Sequence, residues 1–453
     1  MSTSAAQQLV ELISQAVKDI EIDTATQLPG ATTSNINSPI VAPEDKLEAT
    51  PKRRDAIRTL QASTHQLLAT LMPAGSRLIS IYSSYFEKVA IDIVVTGRIA
   101  DLIHTADPDL SDGGVHVEVI SEKAGMDPQK LTHVLRFLAL RNIFCEVTKN
   151  HWINTRCSVP LRTDSQNSIC NLLMHFKEVA LPALLEFPRV MLDTENGGAL
   201  SWDHSDSAFQ KHFKPGCDPF EFMASTDGGY RAERFGKAMV EVTKALGNGE
   251  AEYKSYDWKK LGPQGTLIDV GGGIGAAAYD ISTYLPEWKI VVQDRAEVAK
   301  DERQVSFPLL PFTYPAPNTE RSSIFLEMKN YQKIASTANI EFEEADFLKG
   351  QPEHRLRKAA KPTTRLMICE TTLEPPLLDR NSPILLNGGM ATHLSHNFNI
   401  TMLIMMNAEE RSTETFSEIF DQSGWKLQSV SPLATVLLDR CIFEAVPNTF
   451  WKD

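Results

Sequence analysis

The chain has 453 residues, 42% of them hydrophobic, enough for two or three domains with separate cores. Its formal net charge of −13 repels phosphate backbones and anionic lipid, which argues against nucleic acid and membrane as partners and favours a small or neutral ligand. Six scattered cysteines, with no CxxC spacing and no histidines clustered beside them, argue against a zinc site and read as reduced thiols, so no metal is expected.

Near the N-terminus, Leu9, Val10, Leu12, Ile13 and Val17 recur at helical spacing and predict an amphipathic opening helix. The segment lacks a basic n-region followed by an apolar core, and no apolar run approaches the roughly 20 residues that span a bilayer. The cytosol is therefore the expected compartment. Residues 23–52 are rich in Thr, Ser, Pro and Asn and read as a mobile linker, because they bury too little apolar surface to offset ordering entropy. Residues 1–53 are thus expected to form a helix and flexible linker, 54–200 a helical domain and 201–453 an α/β domain.

Within the helical domain, residues 117–147 read as helix, glycine turn, helix and then an extended wing ending near Trp152. Such a winged helix either binds DNA through its second helix or serves as a packing and dimerisation module. Leu131, Val134, Leu135, Phe137 and Leu138 fill that second helix with apolar side chains, which favours dimerisation.

Beyond Tyr256, extended apolar runs alternate with helical ones: TLIDV (266–270), KIVVQD (289–294), IEFEEAD (340–346) and RLMICET (365–371). That alternation predicts a parallel, doubly wound sheet of Rossmann-like type. After a helix closed by Gly424, WKLQSV (425–430) and TVLLDRCIFEAV (435–446) predict a terminal antiparallel hairpin.

The run LIDVGGGIGAAAYDIS (267–282) places Gly271, Gly272, Gly273 and Gly275 between a strand and a helix, where glycine permits a tight turn and close approach of a ligand. A dinucleotide fingerprint is also satisfied, so the carboxylate in front of the turn decides between cofactors. Beside Asp269 a pyrophosphate would meet like charge, whereas the ammonium of a methionine moiety would gain a charge-assisted hydrogen bond. S-adenosylmethionine is therefore favoured over NAD. Asp294, ending the second strand, is placed to accept from ribose hydroxyls. Asp346, ending the third, is placed to accept from an adenine amino group, with Phe347 packing beside the ring.

From roughly 85 to 445 the chain resembles the plant and fungal O-methyltransferases of the caffeate and hydroxyindole type. The matching residues are DVGGGIG (269–275), VVQDR (291–295), FEEADFL (342–348), LMICETTLEP (366–375), the helix HNFNITMLIMMNAEERSTETF (396–416) and SGWKLQSV (423–430). The resemblance implies an N-terminal winged-helix dimerisation domain, a homodimer, and a metal-free class I methyltransferase domain. It implies methyl transfer to a hydroxyl of a small aromatic or polyketide-like acceptor. It further implies that Gly271, Asp294, Asp346 and Phe347 contact the cofactor, and that Glu370 and Glu410 are the two glutamates flanking the catalytic base.

Two stretches depart from that family. Its members carry a strand, a helix and a His-Asp-Trp motif, the source of the general base, between the third-strand Asp and the first glutamate. Here residues 347–369 are too short for them, and His354 reads as a solvated loop histidine. Residues 301–339 are longer than the family's connection. Either the first and fifth strands pair directly, or part of this insertion, such as SSIFLEM (322–328), fills the gap. His393 and His396 read as helix-start histidines or a substitute base, and Met402, Met405 and Met406 as core or acceptor-pocket wall. Two further readings stay open: a cofactor-binding protein doing other chemistry, such as rearrangement or dehydration, and a non-enzymatic dimerisation or regulatory protein.

Overall fold

The computed structural model describes residues 4–448 apart from 32–35, 39, 41–42, 44–46, 48–49, 109–112, 196–197, 248–252, 273–274, 295–338, 346–362, 434 and 436–437. The chain divides into two compact units. The first comprises Met1–Gly247, Thr371–Ser412 and Thr435–Asp439, and the second Asn248–Glu370, Thr413–Ala434 and Arg440–Asp453.

In the first unit, α1 (Ala5–Gln27) opens on a capping box: the Ser4 hydroxyl accepts from the Gln7 amide while the Gln7 side chain accepts from the Ser4 amide. The helix runs five residues into the stretch expected to be linker. Asp23, only 8% exposed, explains this, because it accepts from Thr50 Oγ1 and Gln27 Nε2, both at 2.7 Å, and ion-pairs with Arg53 at 3.4 Å. These bonds clasp α1 to α2 (Pro51–Leu71), which begins with Pro51 in its first turn behind the Thr50 cap. Three further helices follow, α3 (Ala74–Tyr82), α4 (Tyr85–Thr96) and α5 (Ile99–Ala106).

The winged helix appears as predicted. β1 (Val115–His116) leads to α6 (Val117–Ala124), a left-handed Gly125 (φ +66°), α7 (Pro128–Ala139) and the wing β2 (Phe144–Thr148) and β3 (His151–Asn154), with strand order β1-β3-β2. Leu131, Leu135 and Leu138 turn inward onto Phe144 and Trp152, all at most 1% exposed, so the apolar side of α7 serves packing.

A long helical run follows: α8 (Cys170–His175), one π-helical stretch (Phe176–Ala180) and α9 (Leu181–Met191). The shorter α10 (Ala208–Phe213) and α11 (Pro219–Ser225) lead into α12 (Tyr230–Gly247). Glu241 of α12, 8% exposed, accepts the amides of Asn171 and Leu172 and so caps the start of α8.

The second unit holds the parallel strands β4 (Thr266–Val270), β5 (Lys289–Asp294) and β6 (Ile340–Glu344), with α13 (Ala276–Ser282) between the first two. Its other sheet has the order β7-β9-β8, from β7 (Leu366–Thr371), β8 (Trp425–Pro432) and β9 (Arg440–Pro447), the last two an antiparallel hairpin. This is the Rossmann-like α/β class with a terminal hairpin foreseen above. Among the described strands, β4 and β7 belong to different sheets, so direct pairing of the first and fifth strands is not seen. The segment 322–328, the alternative filler, lies outside the described residues.

Two boundaries differ from expectation. The helix foreseen over 396–416 is two: α14 (His393–Met406) and α15 (Thr413–Gln422). Asn407 stops α14 in a left-handed conformation (φ +53°), and its Nδ2 donates to the carbonyls of Ser201 and Asp203 at 2.8 and 2.9 Å. β9 begins at Arg440, and ahead of it Thr435 Oγ1 donates to the Leu438 carbonyl at 2.6 Å.

Candidate active site

Where β4 ends, the chain turns on Gly271, whose φ of +76° favours a residue without a Cβ. The amides of Gly271 and Gly272 both donate to the backbone carbonyl of Gln293, at 2.8 and 3.2 Å, folding the turn over the end of β5. Gly275 (φ +82°) then starts α13, its amide bonded to the Gly272 carbonyl at 2.9 Å. Gly272 is glycine for a steric reason: a Cβ there would lie 2.5 Å from Asp269 Oδ2 and 2.7 Å from Val292 Cγ1.

Asp269 is thus pinned under the turn. Its Oδ2 is buried and, among the described residues, has no hydrogen-bond partner. Burial, and then the negative charge of Asp294, push its carboxyl above the usual carboxylate range. A buried acid in this condition is stabilised by a cation that donates hydrogen bonds and is destabilised further by a phosphate. The residues present therefore fit the ammonium end of S-adenosylmethionine. Asp294 closes β5, half-buried, with its carbonyl accepting from the Ala345 amide at 2.9 Å. Asp269, Gly271 and Asp294 are accordingly brought to one end of one parallel sheet. Gly273, Asp346, Phe347 and His354 lie outside the described residues.

The two family glutamates stand elsewhere along the chain. Glu370 is exposed near the end of β7, and Glu410 follows α14 with its amide donating to Asn399 Oδ1 at 2.8 Å. The segments that follow them run side by side: Thr372 forms a parallel bridge with Arg411, and the Leu373 amide donates to the Arg411 carbonyl at 2.9 Å. On α14, Met405 is buried with Ile404 against Val179, Ala183, Phe209 and Phe222, so it is core, and Met406 packs on the same cluster. His393 is exposed, and half-buried His396 lies 3.5 Å from Asn387 Nδ2. Among the described residues no group of three or more His, Cys, Asp or Glu is gathered as a metal site, and no helix is long and apolar enough to cross a membrane.

Sequence reasoning did not single out Gly272 or Gln293 as site residues. Gly272 was legible as the middle of a glycine triplet. The role of Gln293 was not, since its contribution is a backbone carbonyl that every residue type carries.

Residues 199–311 match the model of an O-methyltransferase domain. A "4-O-methyltransferase 1" of Phanerochaete chrysosporium is 25% identical over 472 residues, covering 94% of this chain and 96% of its own. The structure of human N-acetylserotonin methyltransferase in complex with S-adenosylmethionine has a TM-score of 0.56 at 18% identity, covering 84% of this chain and 99% of that one. A structure described as a pericyclic reaction enzyme has a TM-score of 0.60 at 14% identity, covering 96% and 100%. At these identities the two structures establish the fold alone.

Proposed function

We propose that this chain, a protein of the class I S-adenosylmethionine-dependent O-methyltransferase family, transfers a methyl group to a hydroxyl of a small aromatic or polyketide-like secondary metabolite. The observation that carries the reading is the buried, unpartnered Oδ2 of Asp269 beneath the glycine turn.

Bound there, S-adenosylmethionine supplies the methyl group and the positively charged sulfur from which it departs. Asp269 takes the hydrogen bonds of the ammonium, Gly271 and Gly273 keep side chains out of the ligand's path, and Asp294 holds the ribose hydroxyls. Asp346 and Phe347 hold the adenine through its amino group and ring face. On the acceptor side, Glu370 and Glu410 take the places of the two glutamates that flank the base in that family, whereas the His-Asp-Trp motif itself has no counterpart in residues 347–369. A phenol of pKa about 10 is ionised to only about one part in a thousand at pH 7, so a positioned base contributes about 10²- to 10⁴-fold.

The active form is a homodimer in the cytosol. Support for the dimer comes from Leu78, Ile79, Tyr82, Tyr85, Phe86 and Val89 on α3 and α4, large apolar side chains each at least half exposed in one chain. Light scattering at micromolar concentration tests this, with twice the chain mass expected.

The activity is tested by incubating the protein with methyl-labelled cofactor and a panel of phenols. Transfer of label to a hydroxyl is expected, and its loss in Asp269→Asn at limiting cofactor. Cofactor binding by calorimetry without any transfer across the panel would remove the methylation reading.

A further inference from the structure

We infer that Asp439 is a positioning residue for the acceptor-side glutamates and that Arg58, on the N-terminal helix α2, holds it in place. The inference rests on the proposed role of Glu370 and Glu410.

Asp439 uses both its side chain and its backbone to join three elements of the first unit. Its Oδ1 pairs with Arg58 Nη2 at 2.6 Å, the two side chains being 21% and 19% exposed. Its Oδ2 accepts from the hydroxyl of Ser395 on α14 at 3.1 Å, and its amide donates back to that hydroxyl at 3.2 Å. Ser395 is fully buried, so this reciprocal pair satisfies a polar group that would otherwise be costly to bury. The backbone carbonyl of Asp439 accepts twice from Thr372, from the amide at 2.7 Å and from Oγ1 at 3.0 Å. Thr372, 6% exposed, forms the bridge with Arg411 described above.

The path is therefore continuous: α2 through Arg58 to the Asp439 carboxylate, then from its carbonyl to Thr372, and from Thr372 to Arg411. Thr372 lies two residues after Glu370, and Arg411 is the residue after Glu410. If the Asp439 carboxylate lost its cation, Ser395 alone would hold that side chain, and any shift of the Asp439 backbone would pass through its carbonyl to both segments that follow the glutamates. Displacements of about 1 Å at reacting groups cost up to about 100-fold in rate. The same path gives the helix pair α1–α2 a part in turnover, although it comes from the opposite end of the chain.

The experiment compares Arg58→Gln, Arg58→Lys and Asp439→Asn with wild type, alongside Glu370→Gln and Glu410→Gln, in the full-length protein. Turnover, cofactor affinity by calorimetry, and hydrogen exchange of the Thr372 and Leu373 amides are read for each. Arg58→Gln and Asp439→Asn are expected to lower kcat about 10- to 100-fold with cofactor affinity unchanged and faster exchange at both amides. Arg58→Lys, which keeps the cation, should recover most of the turnover. Wild-type kcat in Arg58→Gln, an Arg58→Lys variant no better than Arg58→Gln, or a kcat loss matched by an equal loss of cofactor affinity would each overturn the inference. If Glu370→Gln and Glu410→Gln retain wild-type turnover, the glutamate reading fails and takes the positioning role with it. If those two lose turnover while Arg58→Gln and Asp439→Asn do not, the positioning role alone fails.

Discussion

The hydroxyl of Tyr256 donates to Glu444 Oε2 at 3.0 Å, and Glu444, 5% exposed on β9, is surrounded by three more donors. Lys260 Nζ lies 2.7 Å away, Arg365 Nε 3.2 Å and Ser429 Oγ 3.2 Å. Burial by itself pushes the Glu444 carboxyl up, but the hydrogen bonds from Lys260, Tyr256 and Ser429 and the Lys260 charge outweigh it and hold the group below its usual range. Burial, and then the charge of Glu444, raise the Tyr256 hydroxyl, which therefore remains a donor. The cluster ties the loop before β4 to the far hairpin of the same unit.

Glu444→Gln is expected to destabilise the protein by about 1–3 kcal/mol, because it removes the charged acceptor shared by Lys260, Tyr256 and Ser429. Tyr256→Phe removes one charge-assisted hydrogen bond and should cost about 1–2 kcal/mol. Urea unfolding at pH 7 measures both. The wild-type contribution is fully present above the unfolded carboxyl pKa of about 4.3 and is lost as pH falls through the lower folded value. The Gln variant should lack that acid-side loss.

Asp269→Asn should move stability and binding in opposite directions. The folded carboxyl of Asp269 is raised, so its protonated form is favoured, and the stability linked to that proton is lost as pH rises through the folded value. Removing the charge should therefore raise the melting temperature of the cofactor-free protein at pH 7. The same change should weaken S-adenosylmethionine by about 10- to 100-fold, the value of one charged hydrogen bond. A variant that melts lower and binds as well as wild type would contradict both halves.

Gly272→Ala tests the steric argument. The new Cβ would press on Asp269 Oδ2 at 2.5 Å and on Val292 Cγ1 at 2.7 Å, so either the carboxylate or β5 must move. A cost of about 1–3 kcal/mol is expected, seen as a lower melting temperature together with weaker cofactor binding. Gly216→Ala serves as a contrast: a Cβ there meets nothing within 4 Å, and its φ of +66° adds backbone strain alone.

His175, 9% exposed and 5.1 Å from the Phe235 ring, is held down to a pKa of about 4 by burial and then by the charge of Arg234. The folded state refuses a proton that the unfolded chain accepts near pH 6.5, so stability is complete above that value and falls as pH drops toward 4. The loss should reach about 3 kcal/mol at most. His175→Gln should flatten this part of the stability profile, measured by urea unfolding from pH 7 to pH 4.

The parallel strands were legible almost to the residue. TLIDV and KIVVQD coincide with β4 and β5, because a short β-branched run bounded by turn residues has few other ways to bury itself. The winged helix was equally plain from its leucine spacing and from Gly125. Less legible was the end of α1, where a polar sequence continues as helix because Asp23 finds Thr50 and Arg53. The break after Met406 was hidden as well. Asn407 looks like one more polar helical residue until its amide is seen to cap the carbonyls of Ser201 and Asp203.

Sequence by itself determined which strands exist, that a glycine turn follows the first of them, and that acids stand at their ends, since each follows from spacing within a dozen residues. Only the tertiary structure decided that Asp269 Oδ2 is buried with no hydrogen-bond partner among the described residues, and that Asp439 joins Arg58, Ser395 and Thr372. Desolvation and pairing depend on what the rest of the chain brings alongside a group. Local periodicity carries no record of neighbours hundreds of residues away.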